Sequence, residues 1–202
     1  MKYNGPKVRL SRALGIQLTP KAARIMESKP YPPGEHGNNS RRRRRFSGYK
    51  EQLLEKQRLK AQYNIHERQM RNYFIKANRR HGNTADNLAR LLETRLDAIV
   101  YRAGFARTIY AARQYVGHGH IMLNGSRVNI PSCRAKPGDV LTIRQKSRRL
   151  SCFRDALMVA MNPPEYLAVD KDQIMARLER LPLREEVPVI CDFSKVIEFY
   201  SR

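Results

Sequence analysis

The stretch GHGHIMLNG at residues 117–125 places His118 and His120 two positions apart between glycines. Imidazoles at that spacing share one side of a strand, so they could ligate a metal, move a proton or hydrogen-bond an anion. A structural zinc site wants about four ligands including sulfur. Here Cys133, Cys152 and Cys191 lie far apart in sequence, and His36, His66 and His81 stand alone in basic or loop contexts. No metal or cofactor is expected. Asp97, in Arg95-Leu96-Asp97, falls mid-helix beside an apolar stripe, where an ion pair accounts for it. A glycine-rich phosphate loop, a Ser-His-Asp order and a Cys-His pair are all missing, so no enzymatic activity is expected. What remains is cationic chemistry. Arg95, Arg102, Arg107, Arg113, Arg127, Arg134, Lys136 and Arg144 cluster with few acids near them, and a guanidinium can grip two phosphate oxygens at once.

The whole chain has the same bias. In 202 residues, 40 Lys and Arg face 18 Asp and Glu, a net charge of +22, which is self-repulsive until a polyanion neutralises it. Nucleic acid is the first candidate. A membrane surface is weaker, because no apolar run approaches the ~20 residues of a spanning helix. The start MKYNGPKVRLSR lacks the apolar block of a secretory signal, and three cysteines without paired spacing fit a reduced, cytosolic protein.

The elements that must position these cations can be read from periodicity. Residues 1–46 are rich in proline and end in Arg41, Arg42, Arg43, Arg44 and Arg45, which predicts an extended arm with one short helix after Thr19, where Pro20 suits the first helical position. Ser47 caps a helix through LLEKQRLKAQY; Asn64 with Glu67 has capping-box spacing before Met70, Phe74 and Ala77. A third helix is expected from Thr84 to Gly104, with Leu88, Leu92, Leu96 and Ile99 on one face. Thr108 caps a fourth, with Ile109, Ala112 and Val116 as its stripe, ending at Gly117.

The period then changes to two. Ile121 and Leu123 precede the hairpin turn Asn124-Gly125, Val128 and Ile130 alternate on the return, and Pro137-Gly138-Asp139 leads into a third strand at 140–143. In GHGHIMLNG, Gly117 lets the helix stop, Gly119 swings the chain into the strand and admits a sugar-phosphate backbone, and the histidines line that junction. Beyond the basic run RQKSRR, a short helix at 151–159, a strand at 166–169, a short helix capped by Asp170 or Asp172, a strand at 187–190 and a terminal helix after Asp192 are expected.

The stretch RLDAIVYRAGFARTIYAARQYVGHGHIMLNGSRVNIPSCRAKPGDVLTIR resembles the S-four RNA-binding module, which also occurs in pseudouridine synthases, where Arg-Leu-Asp surrounds the catalytic aspartate. No segment after residue 145 is large enough for a synthase domain. The flanks YPPGEHG (31–37), LLEKQRLKAQYNIHERQMRNYF (53–74), GNTADNLARLLETRLD (82–97) and VIEFYSR (196–202) are similar, in order and spacing, to the S-four family of small-subunit ribosomal proteins, in its bacterial and organellar branch. The resemblance spans almost the whole chain. It implies a primary binder of small-subunit ribosomal RNA that folds a helical junction in the 5′ domain, nucleates subunit assembly and influences translational accuracy. It also implies neighbouring ribosomal proteins near the mRNA entry channel and, in some bacteria, the family member's own operon mRNA as partners. Many members hold the arm around a four-cysteine zinc site; residues 1–46 contain no cysteine, so an arm that folds does so without zinc. Thr108-Ile109 stands where the module commonly has Ser-Arg.

The expected fold is α+β: a mostly helical body with an extended basic N-terminal arm and an inserted module of an αα-hairpin with a small antiparallel sheet. Its expected parts are the arm at 1–46, the body at 47–91 completed by 146–202, and the module at 92–145. RNA contacts are expected at Arg41 to Arg45, Lys56, Arg58, Arg68 and Arg71 on arm and body, and at Arg95, Arg107, Arg113, Gln114, Tyr115, His118, His120, Arg127 and Arg134 in the module. Shape and backbone are read more than sequence, because the major groove of an RNA duplex is too deep and narrow for side chains.

Overall fold

The computed structural model describes residues 3, 5–37, 47–158 and 162–202. They form an α+β protein divided into two compact units, residues 1–76 with 189–202, and residues 77–188.

In the first unit residues 5–37 are not an extended segment. Helices α1 (Lys7–Leu14) and α2 (Pro20–Ser28) pack on each other, and a 3-10 turn follows at Glu35–Gly37. α2 starts as its sequence predicts, with Thr19 Oγ1 accepting the Ala22 N–H at 3.2 Å. α1 was not legible because Pro6 precedes it without a capping side chain. It folds because Leu14, Ile16, Leu18 and Ala22 are buried. Two arginines fix it: Arg12 donates to the Tyr31 carbonyl at 3.0 Å and lies over that ring, and Arg58 donates to the Leu14 carbonyl at 2.9 Å. The latter carbonyl is one that a helix C-terminus leaves without an internal partner. Arg41 to Arg45 lie outside the described residues.

Helix α3 (Gly48–Gln62), capped by Ser47, packs against the last helix of the chain. Helix α4 (Glu67–Asn78) is not opened by an Asn64–Glu67 box. Asn64 sits at φ +47° in the preceding turn, and the Gln69 side chain reaches back to the His66 N–H at 3.5 Å. Glu67 is thereby released for another role, accepting from Lys56 (3.0 Å), Lys60 (3.2 Å) and the Tyr200 hydroxyl (2.7 Å).

The second unit carries the main surprise in helix structure. The expected helix from Thr84 to Gly104 is two helices, α5 (Thr84–Glu93) and α6 (Leu96–Arg102), because Arg95 adopts an extended conformation. Residues 131–135 plug the break. Thr94 O accepts from Ala135 N–H (2.9 Å), while Leu96 N–H donates to Cys133 O (2.8 Å) and Asp97 N–H to Pro131 O (3.2 Å). The apolar stripe continues across the break, with Leu88, Leu92, Leu96 and Ile99 all inaccessible, so periodicity alone gives no sign of it. α7 (Ile109–Gly117) then packs on α6, capped by Thr108 at 3.2 Å from Ala111 N–H.

Strands β1 (Ile121–Leu123), β2 (Ser126–Arg127) and β3 (Val140–Ile143) form where expected, although Val128 and Ile130 lie beyond the paired residues. Asn124 (φ +48°) and Gly125 (φ +79°) make the turn, both in the left-handed region that two-residue hairpins favour. The Asn124 amide also donates to Asp139 and accepts the Val140 N–H, each at 2.8 Å, so the two turns hold each other. After α8 (Ser151–Leu157) the chain forms β4 (Leu167–Asp170) and β5 (Met175–Leu178), not a helix, with Ile174 at φ +52° in the connecting turn. The Asp170 carboxylate, expected to cap a helix, accepts from Asp172 and Gln173 N–H in that turn. The sheet is five-stranded, ordered β2-β1-β3-β5-β4 and antiparallel throughout. Its inner face, with Ile121, Leu141, Ile143, Ala176 and Leu178, closes on α6, α7, Phe105, Phe153 and Tyr166.

Because β5 pairs with β3, residues 146–188 belong with the module, and only 189–202 return to α3 as helix α9 (Phe193–Ser201), capped by Asp192. No strand forms at 187–190; the Ile190 N–H and C=O are taken by the Gln62 amide at 3.0 and 3.1 Å.

The break between α5 and α6 is held by a carboxylate. Arg95 and Asp97 are both 0% exposed. Arg95 Nε and Nη2 donate to the two Asp97 oxygens at 2.9 and 2.7 Å, and Ala98 N–H (3.0 Å) and Arg113 Nη1 (3.4 Å) donate to the same carboxylate. Removing one partner of such a pair leaves a buried charge uncompensated, at a cost of about 3–5 kcal/mol. Asp97→Ala should lower the urea unfolding free energy by that amount, whereas Arg68→Ala, at an exposed position, should change it by less than about 0.5 kcal/mol. A loss below ~1 kcal/mol for Asp97→Ala would mean that the pair does not hold the break.

Candidate nucleic-acid interface

Between Asp97 and Asp139 the sequence contains no acid, while it places Arg102, Arg107, Arg113, Arg127, Arg134 and Lys136 there. The fold sorts these cations into two groups. Arg102 pairs with the inaccessible Glu93, which also accepts the Tyr166 hydroxyl at 2.6 Å. Burial and the Glu93 charge push the Tyr166 phenol far above its usual range, so it stays a donor. Arg113 leans on Asp97 and Arg95 is fully enclosed. Arg95 therefore offers no surface to an RNA, contrary to expectation, and Asp97 has no oxygen open to a nucleotide, which removes the synthase-like reading of Arg95-Leu96-Asp97.

The second group, Arg107, Arg127, Arg134 and Lys136, is exposed, and Arg127 lies at the junction of α7 and β1. α7 runs to Gly117, and the chain turns at Gly119, φ +71°, into β1. The close approach at Gly119 is to protein: a Cβ there would lie 2.1 Å from Arg127 Nε. The Arg127 guanidinium thus rests on Gly119 and donates to the His118 carbonyl at 3.3 Å. His118 and His120 rings lie 5.9 Å apart. Just past β3, Arg144 N–H donates to the His120 carbonyl at 2.9 Å. His118, Arg127 and Arg144 are exposed, and Gln114 is exposed one turn earlier on α7. Tyr115 is half-buried against Phe153 (ring centroids 4.7 Å). Burial pushes its phenol up to about 12, with the Cys152 contact adding and the Arg107 charge opposing, so at neutral pH it is a hydrogen-bond donor beside exposed Arg107. Arg134 and Lys136 are exposed on the loop that plugs the helix break.

On the first unit the expected set divides in the same way. Lys56 is buried, 3.0 Å from Glu67 and 4.3 Å from the Phe199 ring centre, and Arg58 is held by Glu55 and the Leu14 carbonyl. Lys56 therefore has almost no surface to offer an RNA, contrary to expectation, while Arg58 remains half-buried. Burial would raise the Glu67 carboxyl, but hydrogen bonds from Tyr200, Lys56 and Lys60 hold it below its ordinary value. Arg68 and Arg71 are exposed on α4. Sequence reasoning left Lys146 out of the contact set, although the run RQKSRR signals it; Lys146 is exposed next to Ser147.

Residues 2–93 match the family model for the ribosomal protein S4/S9 N-terminal domain, and residues 94–141 match the S4 domain. The boundary coincides with the break after α5. Small ribosomal subunit protein uS4 of Streptomyces avermitilis is 51% identical over 201 residues, covering 98% of this chain and 97% of the relative. That of Paenarthrobacter aurescens is 53% identical over 197 residues, 96% and 95% of the two chains. The uS4 of Micrococcus luteus is 51% identical over 200 residues, likewise 96% and 95%. The chain belongs to the ribosomal S4 family. In family terms, His118 and Arg127 at the α7–β1 junction lie in the S4 domain, and Arg68 and Arg71 lie in the N-terminal domain. This is a family of ribosomal structural proteins, not enzymes.

His120 gives this surface a pH signature. Burial, with the nearby charges of His118, Arg127 and Arg144, lowers its pKa from the ordinary 6.5. The unfolded chain therefore takes up a proton at a pH where the folded one does not, and stability falls with pH through and just below that ordinary value. In RNA-free protein the wild type should lose stability relative to His120→Gln between pH ~7.5 and ~5; parallel thermal-melting profiles for the two would refute this.

Proposed function

We propose that the protein is a constituent of the small ribosomal subunit and a primary binder of its RNA, working in the cytoplasm where the ribosome works. The observation that carries the reading is the cluster of exposed Arg127, His118 and Arg144 around Gly119 and His120, in a chain of net charge +22 that belongs to a ribosomal family. Guanidinium and imidazole donors set on a rigid helix-to-strand junction suit phosphates and 2′-hydroxyls presented at irregular angles, as an RNA junction presents them.

The finer reading is a helical junction in the 5′ domain of the small-subunit RNA, folded early so that assembly is nucleated there. Neighbouring ribosomal proteins near the mRNA entry channel are its protein partners, and through them it influences decoding accuracy. A structured segment of its own operon's message, carrying similar phosphate geometry, is a further ligand. The contacts are assigned to Arg68 and Arg71, to Arg41 to Arg45, and to Arg107, Gln114, Tyr115, His118, Arg127 and Arg134, with Arg113 contributing from beside Asp97.

The test is binding of the full chain to 5′-domain RNA against an unrelated structured RNA of equal length, across a salt titration. A preference for the 5′-domain RNA should survive ~200 mM salt, because the counterion-release part of affinity is then reduced on the order of a thousandfold relative to ~50 mM. Arg127→Ala should weaken binding and flatten the salt slope by about one unit. Equal affinities for both RNAs that collapse together would defeat the reading of a junction-specific binder.

A further inference from the structure

The match to the S4 domain ends at residue 141, yet the cationic surface does not end there. β3 closes at Ile143, and the chain leaves the sheet at Arg144 into a 3-10 turn, Gln145–Ser147. Besides the Arg144 N–H bond to the His120 carbonyl, two side chains fasten this turn. Arg148 Nε donates to the Ile143 carbonyl at 3.2 Å. Ser147 is only 6% exposed, and its Oγ lies 2.9 Å from His120 Nδ1. Arg144, Lys146 and Arg149 are exposed, and no acid occurs between Asp139 and Asp155. His120 is itself held in an aromatic group, edge-on to Tyr115 and Phe153 at 6.4 and 6.0 Å. Its Nδ1 is therefore occupied, and its ring connects the helix-to-strand junction to the basic turn.

We propose that the turn at residues 144–149 is a further RNA-binding segment that grips backbone phosphates through Arg144 and Lys146, and that His120 is a positioning residue, holding the turn beside Arg127 through Ser147. The proposal rests on the RNA-binding reading above. The physical reason is preorganisation. A loop carrying long cationic side chains loses affinity to the ordering it undergoes on binding, and a turn fixed before binding avoids that loss. The small, buried hydroxyl does the fixing, so the cations remain free for phosphate.

The experiment is a mutant cycle on the full-length protein with 5′-domain RNA and the unrelated RNA, with thermal melting to confirm folding of each variant. Arg144→Gln with Lys146→Gln should flatten the salt slope by about two units and weaken binding on the order of tenfold at ~0.1 M salt. Ser147→Ala should weaken binding severalfold and Ser147→Thr should restore it. In the Arg144→Gln/Lys146→Gln background, Ser147→Ala and His120→Gln should each have no further effect, because what they position is gone. An unchanged slope for the double variant would remove the turn from the interface. A full additional loss from His120→Gln in that background would make the imidazole a direct RNA contact and overturn the positioning role. If wild type binds both RNAs alike while the turn variants still weaken binding, the turn stands as a phosphate site and only the junction-specific reading fails.

Discussion

The Asp97 carboxylate is the constraint on which the second unit depends. Two ions enclosed completely would be expensive to desolvate, and a pair of that kind contributes little net stability compared with apolar residues of the same volume. Its value here is geometric. Asp97 takes the Nε and Nη2 donors of Arg95, the N–H of Ala98 and a donor from Arg113. With the carboxylate satisfied, Arg95 is fixed in an extended conformation, the helix stops, and the backbone groups exposed by the stop are handed to Pro131, Cys133 and Ala135. One acid therefore ties together the end of α5, the start of α6, the helix α7 that carries Arg113, and the loop that returns from the hairpin.

That arrangement explains why the arginines of the module divide as they do. Those near an acid are spent on the fold: Arg95 and Arg113 on Asp97, Arg102 on Glu93. The chain then supplies no acid until Asp139, and Arg107, Arg127 and Arg134 stay exposed. The same division recurs in the first unit, where Lys56 and Arg58 serve Glu67, Glu55 and a helix end, and Arg68 and Arg71 face solvent.

Much of the second unit was legible in its sequence because its signals are local. Asn124-Gly125 demands left-handed backbone, Pro137-Gly138-Asp139 demands a turn, and Thr108 offers a cap; each acts within a few residues. The break at Arg95 was not legible as a helix end, since the partners that satisfy its backbone lie some three dozen residues later in sequence. β5 was misread for a related reason. MARL has no helix-excluding residue, and only its pairing with Val140, Leu141 and Thr142 makes it a strand. In the site, charge counting identified the right chemistry but could not separate Arg95 or Lys56 from Arg127, because exposure is set by tertiary packing and not by residue type.

The two populations of cations also explain how so basic a chain folds at all. A net charge of +22 opposes compaction, so cations inside the fold must be matched: Arg95 by Asp97, Lys56 by Glu67, Arg102 by Glu93. With the interior neutralised, the remaining repulsion is confined to the surface, where water and salt screen it. A polyanion that covers this surface relieves the repulsion and gains charge-assisted hydrogen bonds in the same step. The exposed cations Arg107, Arg127 and Arg144 can thus be altered without disturbing the carboxylates that hold the interior.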